Sequence, residues 1–249
     1  MRGLLVRIGA DLSEAGGGFN GPVNGTTNEF TYVPISEKEE KQTRQGMERP
    51  YTLVSDALSR LGRQLPAPLR ERNMHLDPDF EHLTYGDEGC KGCRIYKMWK
   101  HKDGRDFLVF YAGLRDVNPD NERLVYAIVG FYMIDEIVQA TEVPLRRCDE
   151  NAHTRCVQPG DDEIVVRAKS GESGRLRRCL TIGCHRPHRD RPRRPASYRV
   201  MPDLLEEWGC LSVSDGYLQR SAYIPEFKNA ERFLTWFRQC KPDLDARNN

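Results

Sequence analysis

The chain has 249 residues, with 38 lysine and arginine residues against 37 aspartate and glutamate residues, and its formal net charge is +1. Because these charges nearly cancel, the net charge argues neither for nor against a polyanionic partner. Only the distribution of charge along the chain can indicate such a partner. The length allows one sizeable hydrophobic core, and no Gly/Ser-rich or Pro-rich linker divides the sequence. We therefore expect a single domain over residues 1–249.

The apolar runs are too short for a membrane protein. The longest, Leu124 to Ile134, falls well below the roughly 20 residues that a membrane-spanning helix needs. The N-terminal apolar run meets Asp11 too early for a signal peptide. We expect a soluble cytoplasmic protein without a membrane partner, whose eight cysteines are thiols or metal ligands rather than a disulfide framework.

Short elements alternate with polar loops in the N-terminal third. Strands are predicted at Leu4–Ile8 and Phe30–Ile35, and the glycine-rich stretch Gly9–Gly25 between them is either a flexible surface loop or a ligand-binding loop. Segment Glu37–Arg44 is charged and has no apolar periodicity, which indicates a solvated loop. Apolar residues then recur at helical spacing and predict a short amphipathic helix over Tyr51–Leu61.

A polar segment follows that has the period of neither a helix nor a strand. Its candidate site residues are His75, Asp77, Asp79, Thr84, Tyr85 and Asp87. One imidazole, three carboxylates and a phenol in so short a stretch suit a reaction or binding site. The alternative is a network of turn caps, because Asp-Pro and Gly-Asp are common turn pairs.

The cysteines directly after this segment have a metal-binding spacing. Cys90 and Cys93 form a C-x-x-C pair that can place two thiolates on one zinc ion. Residues from Cys179 to His188 offer a second pair, but without a standard spacing. We therefore favour ordinary reduced cysteines over a zinc site.

Two aromatic and β-branched runs form the apolar centre of the sequence. Phe107–Tyr111 and Leu124–Tyr132 are too evenly apolar for strands with one wet face, so we predict central strands covered on both sides. Residues 116–121 between them are rich in turn formers and predict a hairpin. Gly130 predicts a bulge or a close backbone approach. Arg115, just beyond the first strand, is expected at the mouth of the sheet, where ligand-contacting groups are often found.

Basic residues concentrate in the C-terminal half. A strand at Ile164–Val166 and a turn at Ser170–Gly174 precede this region. Its arginines are Arg175, Arg177, Arg178, Arg186, Arg189, Arg191, Arg193 and Arg194. Clustered guanidinium groups suit phosphate contacts, and the alternative is a solvated loop stiffened by prolines. The chain closes with a predicted helix from about Asn229, whose apolar face includes Phe233 and Phe237.

Three segments together resemble a known family. They are LVRIGADLSEAGGGFNGPVN with FTYVPISE, then HLDPDFEHLTYGD, and finally DFLVFYAGLR followed by LVYAIVGFYMID. These segments are similar to the nucleotide-modification-associated domain family, specifically its third type, and matching fragments run from Leu5 to about Phe227. That family is associated with enzymes that modify bases in phage and bacterial DNA. The resemblance implies a role in DNA modification or in its recognition.

The hairpin strands also show a weaker similarity to the PUA, ASCH and EVE barrels. It rests on Gly104-Arg105-Asp106 before the first strand and on Val-Gly-Phe-Tyr-Met-Ile at the end of the second. In those barrels a small twisted sheet closes around a pocket that receives a base. The similarity implies an α+β fold with a PUA/EVE-like mixed β-barrel core at about residues 104–225 and short flanking helices.

The first functional hypothesis is a binding module that admits a base, extruded from DNA, into a pocket beside the hairpin. An extruded base has lost its stacking, which the rings of Tyr85, Phe110 and Tyr111 would replace. The predicted base- or nucleotide-binding residues are His75, Thr84, Tyr85, Tyr111, Gly113, Arg115, His153, Arg220 and Ser221. The predicted phosphate-binding residues are Arg186, Arg189, Arg191, Arg193 and Arg194. The expected partners are DNA or a nucleotide, together with other components of a DNA modification system.

The second hypothesis is an enzyme that acts on a base or nucleotide. Its candidate catalytic residues are Asp11, Asp77, Asp79 and Asp87. Asp77 and Asp79, separated by one proline, would share a divalent cation or take opposed acid and base roles. His75 or His153 would carry protons. No signature names the reaction or a cofactor, and a third alternative is an assembly subunit of a modification system. Both functional hypotheses require these acidic loops, His153 and Arg115 to converge on one cavity.

Overall fold

The computed structural model describes residues 1–13, 17–99, 104–121, 124–219 and 224–249. The strands are β1 (Gly3–Arg7), β2 (Pro22–Val23), β3 (Ile35–Ser36), β4 (Met74–His75), β5 (Thr84–Asp87), β6 (Phe107–Asp116), β7 (Leu124–Gln139), β8 (Ile164–Ala168), β9 (Gly174–Thr181), β10 (Gly183–Arg186), β11 (Ser197–Val200) and β12 (Leu244–Asp245). The α-helices are α1 (Ser55–Arg60), α2 (Ala67–Arg70), α3 (Gly89–Trp99), α4 (Ala152–Arg155), α5 (Pro202–Glu207) and α6 (Ala230–Gln239). Short 3₁₀ helices cover Tyr51–Val54, Ala140–Glu142, Leu145–Glu150 and Ser214–Gly216. The fold is α+β, as predicted.

The predicted hairpin forms the centre of an eight-stranded mixed sheet. Strands β6 and β7 pair antiparallel from Phe107 opposite Met133 to Arg115 opposite Leu124, and both faces of β6 are buried. The first half of β7 pairs with β9 and its second half with β8. Gly130 lies at the register shift between β7 and β9, where an added Cβ would lie 2.5 Å from Phe80 Cε1. This contact confirms the predicted close approach.

The sheet curls but does not close within the described residues. Its path runs β1-β6-β7-β8-β5, and these residues form no pairing between β1 and β5. The predicted PUA/EVE-like barrel is therefore not confirmed. Arg7 of β1 and Tyr85 of β5 nevertheless line the same cavity, although three strands separate them along the path. We call this the seam cavity, because it lies where the two end strands of the curled sheet face each other.

The flanking helices cover the sheet largely as predicted. Helix α6 stacks Phe233 on Phe107 and Phe237 on Phe131, with ring centroids 5.6 and 4.7 Å apart. The predicted helix over Tyr51–Leu61 is a 3₁₀ turn that continues into α1. No helix of the described residues is long and apolar enough to span a membrane.

The structure differs from the sequence analysis at three places. The predicted strand Phe30–Ile35 forms only a bridge at its start and β3 at its end, because the carbonyl of Val33 accepts from Ala10 in a loop rather than from a ladder. Helix α3 was not predicted, since its buried residues are few. Segment Glu37–Arg44 is a loop, as predicted, but it is not fully solvated, because Glu37 and Lys41 are half-buried and Lys41 lines the seam cavity.

Candidate functional site

The seam cavity has a volume of about 270 Å³ and brings together residues from distant parts of the chain. The predicted site residues in its wall are Asp11, His75, Asp77, Tyr85, Asp87 and His153. They come from the loop after β1, from β4 and the loop that follows it, from β5 and from α4. The expected convergence is therefore only partial, because Asp79 and Arg115 are not part of the cavity wall.

Two histidines and one aspartate form the centre of the cavity wall. One ligand atom from each of His75, Asp77 and His153 lies within 4.8 Å of the others. Asp77 Oδ2 lies 4.0 Å from His75 Nε2 and 3.6 Å from His153 Nε2. The two imidazole rings meet edge to face, with centroids 5.0 Å apart. Both Nε2 atoms therefore approach the same carboxylate oxygen.

An outer carboxylate holds each of these imidazoles. His75 Nδ1 lies 3.1 Å from both carboxylate oxygens of Glu37, and His153 Nδ1 lies 2.7 Å from Glu163 Oε2. An Nδ1–H that donates to a carboxylate fixes the orientation of the ring and leaves Nε2 available as a ligand. Each of the two histidines therefore has an outer carboxylate at Nδ1 and Asp77 near Nε2.

Backbone and amide donors fix Asp77 itself. Its Oδ1 accepts from Gly86 N at 2.8 Å and from the Asn151 side chain at 3.0 Å, which leaves Oδ2 to face the histidines. Asn151 also caps the N-terminus of α4, where its side chain accepts from His153 N. One capping residue thus connects the positions of His153 and Asp77, which are far apart in sequence.

Gly86 is expected to be intolerant of any side chain, because a Cβ there would lie 2.2 Å from His153 Cδ2 and 2.6 Å from Asn151 Oδ1. We predict that Gly86→Ala moves the His153 ring and lowers the free energy of unfolding by about 1–3 kcal/mol, measured by urea titration. Gly113→Ala is the matched control, because its Cβ would make only an ordinary 3.4 Å contact with Tyr126. Equal losses in both variants would contradict the prediction.

The site concentrates negative charge around His153. Burial disfavours the imidazolium, but the hydrogen bonds of Asp77 and Glu163 outweigh it and raise the pKa of His153 to about 9. Burial also favours the protonated form of Glu163, yet His153 and Lys41 lower the pKa of this carboxyl to about 2. Asp77 and Glu163, the carboxylates on either side of His153, therefore favour a positive charge between them. A proton on His153 or a bound metal ion would supply that charge.

A second set of potential ligands is already neutralised. Glu88, His153 and Glu163 also bring ligand atoms within 4.8 Å of one another. Lys41 Nζ, however, lies 2.6 Å from Glu163 Oε1 and 3.2 Å from Glu88 Oε2. Since an ammonium group occupies this position, His75, Asp77 and His153 are the better candidates for holding a metal.

Asp87 is a candidate proton carrier on the same wall. Burial raises the pKa of its carboxyl, against the opposing charge of Lys91, whose Nζ lies 3.6 Å away. The Tyr85 hydroxyl donates to Asp87 Oδ2 at 2.5 Å. Asp11, in the loop after β1, pairs with Arg7 at 3.1 Å. A carboxyl with a raised pKa suits proton transfer better than an ordinary one.

Other predicted residues lie away from the seam cavity. Asp79 is buried and pairs with Arg155, and Thr84 donates to a main-chain carbonyl. Tyr111 is 1% exposed, and its hydroxyl donates to a main-chain carbonyl at 2.8 Å. Gly113 and Arg115 belong to β6 and are not part of the cavity wall. Arg220 and Ser221 lie outside the described residues.

The predicted phosphate-binding arginines divide into two groups. Arg186 forms an ion pair with Asp215. The exposed members are Arg189, Arg191, Arg193 and Arg194. Arg191 and Arg194 line a second cavity, whereas Arg175, at the start of the basic region, is buried in β9.

The cysteines of both pairs are absent from the wall of the seam cavity. Cys90 and Cys93 are exposed in α3, and Cys179 is buried in β9. Among the described residues, the groups of three potential metal ligands contain no cysteine.

Sequence reasoning missed the residues that support the histidines. Glu37 belongs to the segment interpreted as a solvated loop, and Glu163 immediately precedes β8 without any motif. Asn151 carries the signal of a helix N-cap, which could have been found from its residue type. The sequence analysis assigned a possible divalent cation to Asp77 and Asp79, but only Asp77 belongs to the set of potential ligands.

Comparison with known proteins gives one match. A family model described as nucleotide modification associated domain 3 matches residues 2–227. No curated protein and no solved structure matches the chain. The matched region contains the whole seam cavity, including the two histidines and Asp77. The chain belongs to the nucleotide modification associated domain 3 family.

Proposed function

We propose that this protein is a metal-dependent enzyme that modifies a nucleotide or nucleobase as part of a DNA modification system. The observation that carries the proposal is the convergence of His75, Asp77 and His153, each imidazole held from behind by a carboxylate. The family assignment supplies the association with nucleotide modification. The geometry supplies the reason to expect chemistry rather than binding alone.

The donor set suits a first-row divalent metal. Such an ion holds nitrogen and oxygen ligands at about 2.0–2.2 Å, which places neighbouring donors about 3–3.4 Å apart. The separations of 3.6 and 4.0 Å between Asp77 Oδ2 and the two Nε2 atoms exceed this by less than about 1 Å, a shift that small side-chain rotations provide. Two histidines and one carboxylate are typical of catalytic zinc and of non-haem iron(II).

Three protein ligands leave coordination positions for substrate or water, as in catalytic rather than structural sites. A metal held there would supply Lewis-acid polarisation of a substrate or water oxygen. Asp87, with its raised pKa, would hold or transfer a proton beside it. The cavity volume of about 270 Å³ is close to the lower limit for small-ligand sites, which suits one base or nucleoside.

The alternative of a base-stacking binding module has less support. It needs an aromatic face that is open to a ligand, but Tyr85 is 4% exposed and Phe110 is fully buried. Tyr85 packs on Phe110 with ring centroids 5.1 Å apart. The predicted stacking rings therefore belong to the hydrophobic core.

Metal analysis tests the proposal directly. The purified chain, incubated separately with Zn²⁺, Mn²⁺ and anaerobic Fe²⁺ and then desalted, is expected to retain about one equivalent of at least one of these metals by mass spectrometry. His75→Ala and His153→Ala should each lose it, because each removes a ligand. His185→Ala, which removes an exposed histidine on β10, should retain it. Equal metal content in all four proteins would contradict the proposal.

Activity is tested with the metal-loaded chain. Incubation with DNA or with deoxynucleotides should produce a nucleoside of altered mass after enzymatic digestion, and Asp87→Asn should slow its formation. An unchanged nucleoside spectrum with each of the three metals, in the presence of extracts that supply small-molecule donors, would count against an enzyme.

A further inference from the structure

A second cavity, which we call the basic cavity, lies between the loop that joins β10 to β11 and the segment Ser212–Tyr217. Its volume is about 620 Å³. Arg191, Arg194 and Arg199 line it, and its described wall contains neither aspartate nor glutamate. No carboxylate in this wall balances the three guanidinium groups, so the basic cavity favours an anionic ligand.

The charge of Arg199 is built into the fold. Its side chain is 7% exposed and lies over the Tyr217 ring at 5.4 Å, while Nη1 donates to the Ser214 carbonyl at 3.1 Å. Asp215 is the nearby acid, but Arg186 binds both of its carboxylate oxygens, at 2.7 and 2.9 Å. Arg199 Nε lies 3.7 Å from Asp215 and has no hydrogen-bond partner among the described residues. One carboxylate thus faces two guanidinium groups.

Arg191 and Arg194 extend this positive charge to the surface. Both are exposed, and neither forms an ion pair within the described part of the chain. The turn that carries Arg191 is anchored by His188, whose Nε2 lies 2.9 Å from Ser214 Oγ. Exposed guanidinium groups on an anchored loop are suited to the oxygens of phosphate groups.

The seam cavity lacks such unbalanced positive charge. Its basic side chains each face an acid: Arg7 pairs with Asp11, Lys38 with Glu88, Lys41 with Glu163 and Lys91 with Asp87. A phosphate would therefore have to displace a carboxylate there, whereas the basic cavity needs no such exchange. The seam cavity is therefore suited to a metal and a base, and the basic cavity is suited to phosphate.

The segment from Tyr217 to Gln219 connects the two cavities. Tyr217 lines the basic cavity, and the Gln219 carbonyl accepts from Arg7, which lines the seam cavity, at 3.1 Å. Three residues span at most about 11 Å, so the stretch that joins the two cavity walls is short compared with an oligonucleotide. A single strand is long enough to occupy both cavities at once.

We propose that the basic cavity binds the backbone phosphates of a DNA strand whose target nucleotide occupies the seam cavity. This inference rests on the proposed function and names its substrate class as a polynucleotide rather than a free nucleotide. Arg191 and Arg194 contact phosphates and therefore position the strand, while Arg199 supplies a fixed charge beneath them.

The test measures binding of a fluorescein-labelled 20-nucleotide single-stranded DNA to the full chain by anisotropy, between 50 and 300 mM KCl. Each neutralised phosphate of a single strand contributes about −0.7 to the slope of log K against log salt, so Arg191→Ala with Arg194→Ala should make the slope shallower by about 1.4. Affinity near 150 mM salt should fall about tenfold. The control removes equal charge elsewhere, with Arg146→Ala and Arg238→Ala, both exposed outside this cavity.

The outcomes separate this inference from the proposed function. Equal slopes for the two double variants, or a free deoxynucleotide monophosphate that binds as tightly as the 20-mer, would overturn the polynucleotide assignment. Arg191→Lys with Arg194→Lys, which keeps the charges, should retain most of the slope and guards against a loss caused by misfolding. If this arginine dependence is found but the histidine variants keep their metal, the metal proposal alone fails. An RNA strand of the same sequence should bind more weakly, and tighter binding of the RNA would overturn the assignment to DNA.

Discussion

Asp79→Asn is expected to lower the free energy of unfolding by about 3–5 kcal/mol, the cost of leaving a buried charge without its partner. Asp79 and Arg155 form an ion pair in which the side chains are 1% and 3% exposed. The aspartate also accepts from His82 Nδ1 at 3.0 Å and from the Asn248 amide at 3.2 Å. Asparagine would place an amide donor against the guanidinium. Urea unfolding with an unchanged m-value would measure the loss.

Two further variants isolate the ion pair as the cause. Arg155→Met combined with Asp79→Asn removes both charges, so the double variant should be less destabilised than the sum of the single variants. Asp243→Asn is the exposed control, because its contact with Arg177 joins side chains that are 66% and 56% exposed, and it should cost less than about 1 kcal/mol. Additive losses in the double variant would show that the two residues act independently.

Acid should reduce the effect of Asp79→Asn. Burial favours the protonated acid, but His82 and Arg155 lower the pKa of Asp79 to about 2. Because an unfolded aspartate has a pKa of about 3.9, the stabilisation is complete above about pH 5 and is lost as the pH falls toward 2. The difference in the free energy of unfolding between the parent protein and Asp79→Asn should therefore become smaller as the pH falls from 5 to 2.

Asp77→Asn should reduce metal affinity by at least about a hundredfold, since even the outer partners of metal ligands contribute about 10–100-fold. The substitution removes the charged ligand atom Oδ2. It preserves an Oδ1 that accepts from Gly86 N and from Asn151, so the local structure is retained. Chelator competition followed by metal analysis would measure the affinity.

Asp11→Asn is the matched control for this experiment. Asp11 lines the same cavity and carries the same charge, but it pairs with Arg7 and does not belong to the histidine–aspartate set. Its metal affinity should stay within about threefold of the parent protein, since a charge at the rim acts mainly through screened electrostatics. Equal losses at Asp11 and Asp77 would indicate that net negative charge, rather than a defined ligand set, attracts the metal.

The curled, open sheet explains why a polar site exists beside a large apolar core. A closed barrel would pair β1 with β5 through backbone hydrogen bonds. Among the described residues these two strands are not paired, and loops and side chains line the cavity between them. The backbone of Ile8 still bonds to Tyr111, which fixes the start of the loop that leads to Asp11. The seam cavity therefore lies between two fixed strand ends, and polar groups can line it.

The sequence alone determined the central hairpin, the C-terminal helix and the polar segment from His75 to Asp87. These features depend on local periodicity and on turn-forming residues, which act over a few positions. The family resemblance was likewise confirmed, because its motifs are contiguous segments of the chain.

Only the tertiary structure decided which polar residues act together. Asp77 and Asp79 are nearly adjacent, yet the first faces two histidines and the second is buried against Arg155. Glu163 reaches His153 because α4 packs beside β5, the strand that pairs with β8, and no local pattern records that contact. Side-chain partners are chosen by the packing of distant elements, and a hydrogen bond forms only where that packing brings donor and acceptor within about 3 Å. For this reason the residue types indicated a site, but its ligands could be assigned only from the fold.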